Sequence, residues 1–131
     1  RTQKLLTANS KFMNWFLAKI VYRIICGEGN HTPQFDEQLR LIVAPDDAEA
    51  FKKASAIGLQ EEDSFYNKSE KLVQWQFVNV SELYQIAELI DGAELYSRIE
   101  EKENGDLYTE LVHKRAANLQ LNNTRHFLQA L

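Results

Sequence analysis

Asn14-Trp15-Phe16-Leu17-Ala18-Lys19-Ile20-Val21-Tyr22-Arg23-Ile24-Ile25-Cys26 is the stretch from which the fold is read. Its even positions, Phe16, Ala18, Ile20, Tyr22, Ile24 and Cys26, form an almost wholly apolar row. That alternation is the mark of a strand, because successive side chains leave a pleated backbone on opposite sides. The odd positions mix Trp15, Leu17, Val21 and Ile25 with Lys19 and Arg23. A strand this apolar on both sides belongs inside a sheet, with its second face partly covered. The two charges also break the longest apolar run, which excludes it as a membrane-spanning helix.

Working outward, Gly27-Glu28-Gly29-Asn30-His31-Thr32-Pro33 is rich in turn formers and leads into a second strand over residues 35–43. The spacing predicts an antiparallel hairpin with a longer loop. Pro45-Asp46-Asp47-Ala48-Glu49 starts a helix, with Asp46 as N-cap and Glu49 three residues on. Ala50, Phe51, Ala54, Ile57 and Gly58 share one helical face, with Phe51 the expected buried anchor and the small residues allowing close approach to a sheet. The helix is expected to fade over residues 60–63. Residues 72–80 read as a third strand, and Ser81-Glu82-Leu83-Tyr84-Gln85-Ile86 either starts a short helix or continues extended, the helical turn being the favoured reading. Asp91-Gly92 marks a turn before a fourth strand over residues 93–101, with Leu95 and Ile99 on one face. After Asn104-Gly105, residues 107–121 carry Leu107, Leu111, Val112 and Leu119 at helical spacing, and Phe127, Leu128 and Leu131 give the tail apolar anchors. The fold class is α+β: an antiparallel sheet of about four strands with a helix packed on one face, in the order β-β-α-β-β-α.

A chain of 131 residues suits a single domain. Its core is expected over residues 13–102, with an N-terminal extension at 1–12 and a C-terminal helix and tail at 107–131. Residues 1–12 read either as a genuine extension or as sequence foreign to the natural chain, since Met13 is the only methionine. Leu5 and Leu6 would anchor that extension if it docks. The composition, 44% apolar and 26% charged, is that of an ordinary folded domain. A net charge of -4 lacks the basic footprint of a nucleic-acid binder. One cysteine, Cys26, forbids an intrachain disulfide and agrees with a reducing, cytoplasmic setting; residues 1–12 lack the pattern of a signal peptide.

His31 is the candidate for chemistry. It lies in the hairpin loop near Glu28, Asp36 and Glu37, a set that a metal or acid–base site could use. The spacing matches no ligand signature, and an exposed turn histidine is the simpler reading. His113 and His126 show no metal-binding pattern, and Cys26 has no identifiable partnering base. Gly27-Glu28-Gly29 lacks both the pattern and the following helix of a phosphate loop, so no cofactor is implied. The aromatic residues Trp15, Tyr22, Phe65, Tyr66, Trp75, Phe77, Tyr84 and Tyr96 fall in or beside the strands. They read first as sheet core and second as a face that binds a protein partner.

Four segments resemble a known family. Asn14-Trp15-Phe16-Leu17-Ala18-Lys19 is similar to the opening strand of the bacterial domain-of-unknown-function family 4288, and Ala48-Glu49-Ala50-Phe51-Lys52-Lys53-Ala54 to its central helix. Val73-Gln74-Trp75-Gln76-Phe77-Val78-Asn79-Val80 resembles its third strand, and Asp91-Gly92-Ala93-Glu94-Leu95-Tyr96-Ser97 its closing turn and strand. The resemblance covers about residues 13–98 and implies no catalytic residue or ligand. The leading expectation is therefore a non-enzymatic interaction or regulatory module, a homodimer or the binder of a protein partner. Its interface would be the odd-numbered face of the first strand, Trp15, Leu17, Val21 and Ile25. The alternative is a small enzyme or ligand-binding domain using His31 with Asp36 or Glu37.

Overall fold

In the computed structural model, which describes residues 13–130, strand β1 (Asn14–Cys26) covers the stretch its alternation predicts. Strand β2 (Gln34–Ala44), helix α1 (Asp47–Gln60), strands β3 (Asp63–Tyr66) and β4 (Leu72–Ile86), and helix α2 (Gly105–Ala130) follow. The order is β-β-α-β-β-α and the class is α+β. The four strands form one antiparallel sheet in the spatial order β2-β1-β4-β3. β1 is interior, paired with β2 from Asn14↔Ala44 to Ile24↔Gln34 and with β4 from Trp15↔Ile86 to Cys26↔Val73. The β1–β2 ladder is regular throughout, whereas the β1–β4 ladder shifts register between Lys19 and Ile20 and between Val21 and Tyr22. Gly27 and Gly29 take positive φ in the β1–β2 loop, a conformation that favours glycine.

The core lies between α1 and the even face of β1. Phe16, Ala18, Ile20 and Tyr22 are buried there with Ile42 and Ala44 of β2, Val80 of β4, and Ala50 and Ala54 of α1. α1 starts where its sequence says, because Asp46 has extended backbone angles and its side chain accepts from the Glu49 N–H at 2.8 Å. Alanine at 50 and 54 and glycine at 58 recur every fourth residue, and they are the buried positions of the helix. The helix therefore lies low on the sheet. The Tyr22 hydroxyl donates to the Gly58 carbonyl at 2.8 Å, which satisfies a buried polar pair at the point of closest approach. Arg40 of β2 pins the helix end through Glu61, with Nη2–Oε1 at 2.6 Å. Glu62 accepts from the Phe77 N–H at 2.8 Å and so plugs the edge of β4 beyond the end of β3.

Three expectations are corrected. Phe51 is not the anchor: its residue is 43% exposed, because the narrow seam of small residues puts position 51 beside the contact rather than in it. Residues 81–86 continue β4 instead of forming a helical turn, since the N-terminal half of β1 needs a partner on that side and Leu17↔Tyr84 and Trp15↔Ile86 provide it. The fourth strand is the short β3 before β4, not residues 93–101. Leu95 and Ile99 recur at four residues rather than two, and Ile99 is 96% exposed, so no buried face holds that segment extended.

Contacts divide the chain into two units, Arg1–Ser97 and Arg98–Leu131. In the second, Asn104 caps α2: its side chain accepts from Leu107 N at 3.0 Å and its carbonyl from Tyr108 N at 3.2 Å. Glu100 pairs with both Arg98 and Lys102. The helix runs well past the expected residue 121 and takes in the tail, where Leu128 is exposed. The expectations for Leu5, Leu6 and the rest of residues 1–12, for Leu131, and for the side chain of Phe127 lie outside the described residues. No described helix is long and apolar enough to cross a membrane.

Candidate functional site

A cleft of about 760 Å³ opens beside the β1–β2 loop, lined by Cys26, Glu28, His31, Gln34 and Lys71 among others. The His31 ring is engaged by backbone on both sides. Nε2 accepts the Cys26 N–H at 3.0 Å, and Nδ1 lies 2.9 Å from the Thr32 carbonyl. An accepting Nε2 sets the neutral tautomer with its proton on Nδ1, donated to Thr32. The imidazole thus closes the loop onto the end of β1, and neither nitrogen presents a lone pair to the cleft. Asp36 and Glu37 follow one another on β2 and point to opposite faces of the sheet. Asp36 Oδ2 accepts from Gln38 Nε2 at 2.7 Å and Trp75 Nε1 at 3.1 Å, on the α1 side. Glu37 pairs with Lys19 at 3.1 Å on the other side. His31, Asp36 and Glu37 therefore serve three separate contacts. Among the described residues, no group of three or more His, Cys, Asp or Glu is placed to hold a metal.

The face opposite α1 carries the odd positions of β1 and their partners. Leu17 and Ile86 are buried, and Val21 and Ile25 are half-buried. Trp15 is 41% exposed, and along β2 on the same face Phe35, Leu39 and Leu41 are 52%, 55% and 51% exposed. The register explains the row: Arg23↔Phe35, Lys19↔Leu39 and Leu17↔Leu41 are direct neighbours, so these side chains share one face.

An ionic centre divides this apolar face. Lys19 Nζ lies 2.8 Å from Glu82 and 3.1 Å from Glu37. The hydrogen bond to Glu82, then that to Glu37, holds the ammonium above the usual lysine range. Tyr84 donates its hydroxyl to Glu82 and meets Tyr96 edge-on, ring centres 5.0 Å apart. The bond to Glu82, reinforced by burial, pushes the Tyr84 phenol up to about 12. Of the four interface residues expected from β1, Trp15 is the most open and Leu17 is closed off. Phe35, Leu39, Leu41 and Glu82 were missing from the sequence reading, and Tyr84 stood in it only among the strand aromatics. Pairing the odd positions of residues 35–43 against those of β1 is the signal that finds the β2 members.

No curated protein and no solved structure matches the chain. A family described as a domain of unknown function, DUF4288, matches residues 15–97, from the start of β1 to the last residue of the first unit. The four resembling segments fall within or at the edge of that span, which takes in all four strands and α1. The match covers more than half of the sequence, and the chain belongs to the DUF4288 family.

Proposed function

We propose that this protein is a non-enzymatic interaction module that associates through the sheet face opposite α1, its first partner being a second copy of the chain. The observation that carries the reading is the exposed set Phe35, Leu39 and Leu41 on β2, on the same sheet face as Trp15. Apolar side chains gathered on one face gain roughly 25 cal/mol per Å² when covered, and such a patch marks an association surface. The Lys19–Glu37–Glu82 centre gives the face a polar fixed point, which orients a partner more than it strengthens binding. The lone Cys26 fits a cytoplasmic setting.

The test is sedimentation velocity over a wide concentration range, with Leu41→Lys as the comparison. The wild type should show a concentration-dependent dimer, and the variant, altered at an exposed position, should stay folded and monomeric. A wild type that is monomeric at hundreds of micromolar removes the homodimer. The cleft by His31 supports a second reading, small-ligand binding, but its imidazole is already committed to the backbone.

A further inference from the structure

The two edges of the sheet are unlike. β3 is 4 residues long, begins with Asp63, and gives way to the Glu62 carboxylate that occupies the Phe77 N–H. Short, charged and plugged edges resist strand addition. β2 is 11 residues long, has no proline, and runs without a bulge along β1. Its outer side is a regular row of backbone donors and acceptors, flanked by exposed Phe35, Leu39 and Leu41. A long, unbulged edge of this kind, apolar along one face and with charges of both signs along the other, is a template for another strand.

We infer that two copies of the chain join edge to edge through β2, antiparallel, with the twofold axis passing through Gln38. This rests on the interaction-module reading and moves the contact from the open face to its β2 margin, where the exposed Phe35 and Leu41 of the two copies would meet. An axis between two residues is excluded, because it would set an α1-side position of one copy against an open-face position of the other. An axis on Asp36, Glu37 or Arg40 sets a charge against its own copy. Axes on Leu39 and on Gln38 both set Glu37 against a leucine, but an axis on Leu39 also sets Asp36 against the buried Ile42 and leaves Arg40 facing Gln38. Centred on Gln38, Asp36 faces Arg40 of the second copy, and Phe35 faces its Leu41, each pair occurring twice by symmetry.

The side chains are already disposed for this register. Asp36, Gln38 and Arg40 form a ladder on the α1 side of β2: Gln38 donates to Asp36, and Arg40 donates to Gln38 at 2.7 Å from Nη2 and 3.2 Å from Nε. Asp36 takes both of its intrachain bonds, from Gln38 and Trp75, on Oδ2. Its carboxylate is thus fixed with Oδ1 outside those two bonds, and Arg40, whose Nη1 and Nη2 also hold Glu61, would be shared between that acid and Asp36 of the second copy. The paired sheet would carry both α1 helices on one side and a single apolar band on the other.

Cysteine cross-linking in a Cys26→Ser background reads the register directly. Residues on the axis face themselves at about 4.5–5.5 Å between Cα atoms, within disulfide reach. Residues one position away lie diagonal to their own copies at about 7–8 Å, outside it. Gln38→Cys should therefore form a covalent dimer under mild oxidation, and Glu37→Cys and Leu39→Cys should not. Asp36→Arg and Arg40→Asp should each weaken the dimer at least tenfold by sedimentation, and the double exchange should restore it, with circular dichroism confirming that each variant folds. A dimer that cross-links at 37 or 39 in preference to 38, or whose charge exchange restores nothing, overturns the edge pairing and leaves the module reading standing. A full-length chain that stays monomeric, its face covered by its own terminal segments, overturns both.

Discussion

Replacing Gly58 by alanine tests whether the helix–sheet seam is as close as it is described. A Cβ added there would lie 2.3 Å from Phe77 Cε1 and 2.5 Å from its Cδ1. Carbon atoms in contact prefer about 3.5–4.0 Å, so the ring must retreat by more than about 1 Å or the helix must lift. Either movement disturbs the edge-on contact of Phe77 with Tyr22, ring centres 6.1 Å apart, and the Tyr22 hydroxyl bond to the Gly58 carbonyl. Overpacking of this kind costs about 1–3 kcal/mol. Alanine returns about 0.8–1 kcal/mol through its helix propensity, which leaves a net loss of up to about 2 kcal/mol. Urea unfolding followed by circular dichroism should show a lower midpoint at unchanged slope. In a Phe77→Leu background, where the ring atoms are gone, the same substitution should cost nothing or stabilise. A Gly58→Ala protein as stable as the wild type, with no coupling to position 77, would refute the close approach.

Phe51→Ala should cost only about 1–1.5 kcal/mol in the same assay, well below the roughly 3–5 kcal/mol of a buried aromatic, because its ring is half in solvent; a loss above about 3 kcal/mol would return Phe51 to the core. Tyr84 gives a pH dependence of definite sign. Its phenol is raised from 10.0 to about 12 in the folded chain, so its contribution is complete below pH 10 and lost as pH climbs toward 12. The stability difference between wild type and Tyr84→Phe should close across that window, and a difference that stays constant there would rule out the Glu82 bond as its cause.

β1 was legible because thirteen residues of alternation average out individual exceptions such as Lys19 and Arg23. The start of α1 was legible from Asp46, because a cap is a local device whose donor lies three residues away. Phe51 misled because size was taken as the sign of burial, whereas the helix face is set by Ala50, Ala54 and Gly58, which are buried for being small. Ser81 and Glu82 resemble a helix start, and only the demand of β1 for a partner at Trp15 and Leu17 turns them into strand. β3, Asp-Ser-Phe-Tyr, is too short and too exposed to leave a pattern. The open face was half legible for a related reason. Its β1 members follow from one strand, but Phe35, Leu39, Leu41 and Tyr84 join them only through register, which no single segment contains. The binding of the His31 ring to Cys26 N–H and the Thr32 carbonyl depends on how the loop curls back, and the sequence shows only that His31 stands in a turn.

The Glu62 carboxylate on the Phe77 N–H bears on how many copies can assemble. A sheet with two receptive edges is a bifunctional monomer, and pairing by its edges propagates without limit into a fibre. Here one edge ends in a strand of 4 residues, and the backbone donor beyond it is already taken by an acid from the same chain. β3 covers only residues 72–75 of β4, so this carboxylate guards the first backbone donor past the end of the short strand. If two copies join through β2 as inferred above, Glu62 limits growth at the other edge, and Glu62→Ala would free the Phe77 N–H for a further strand and favour assembly beyond the pair.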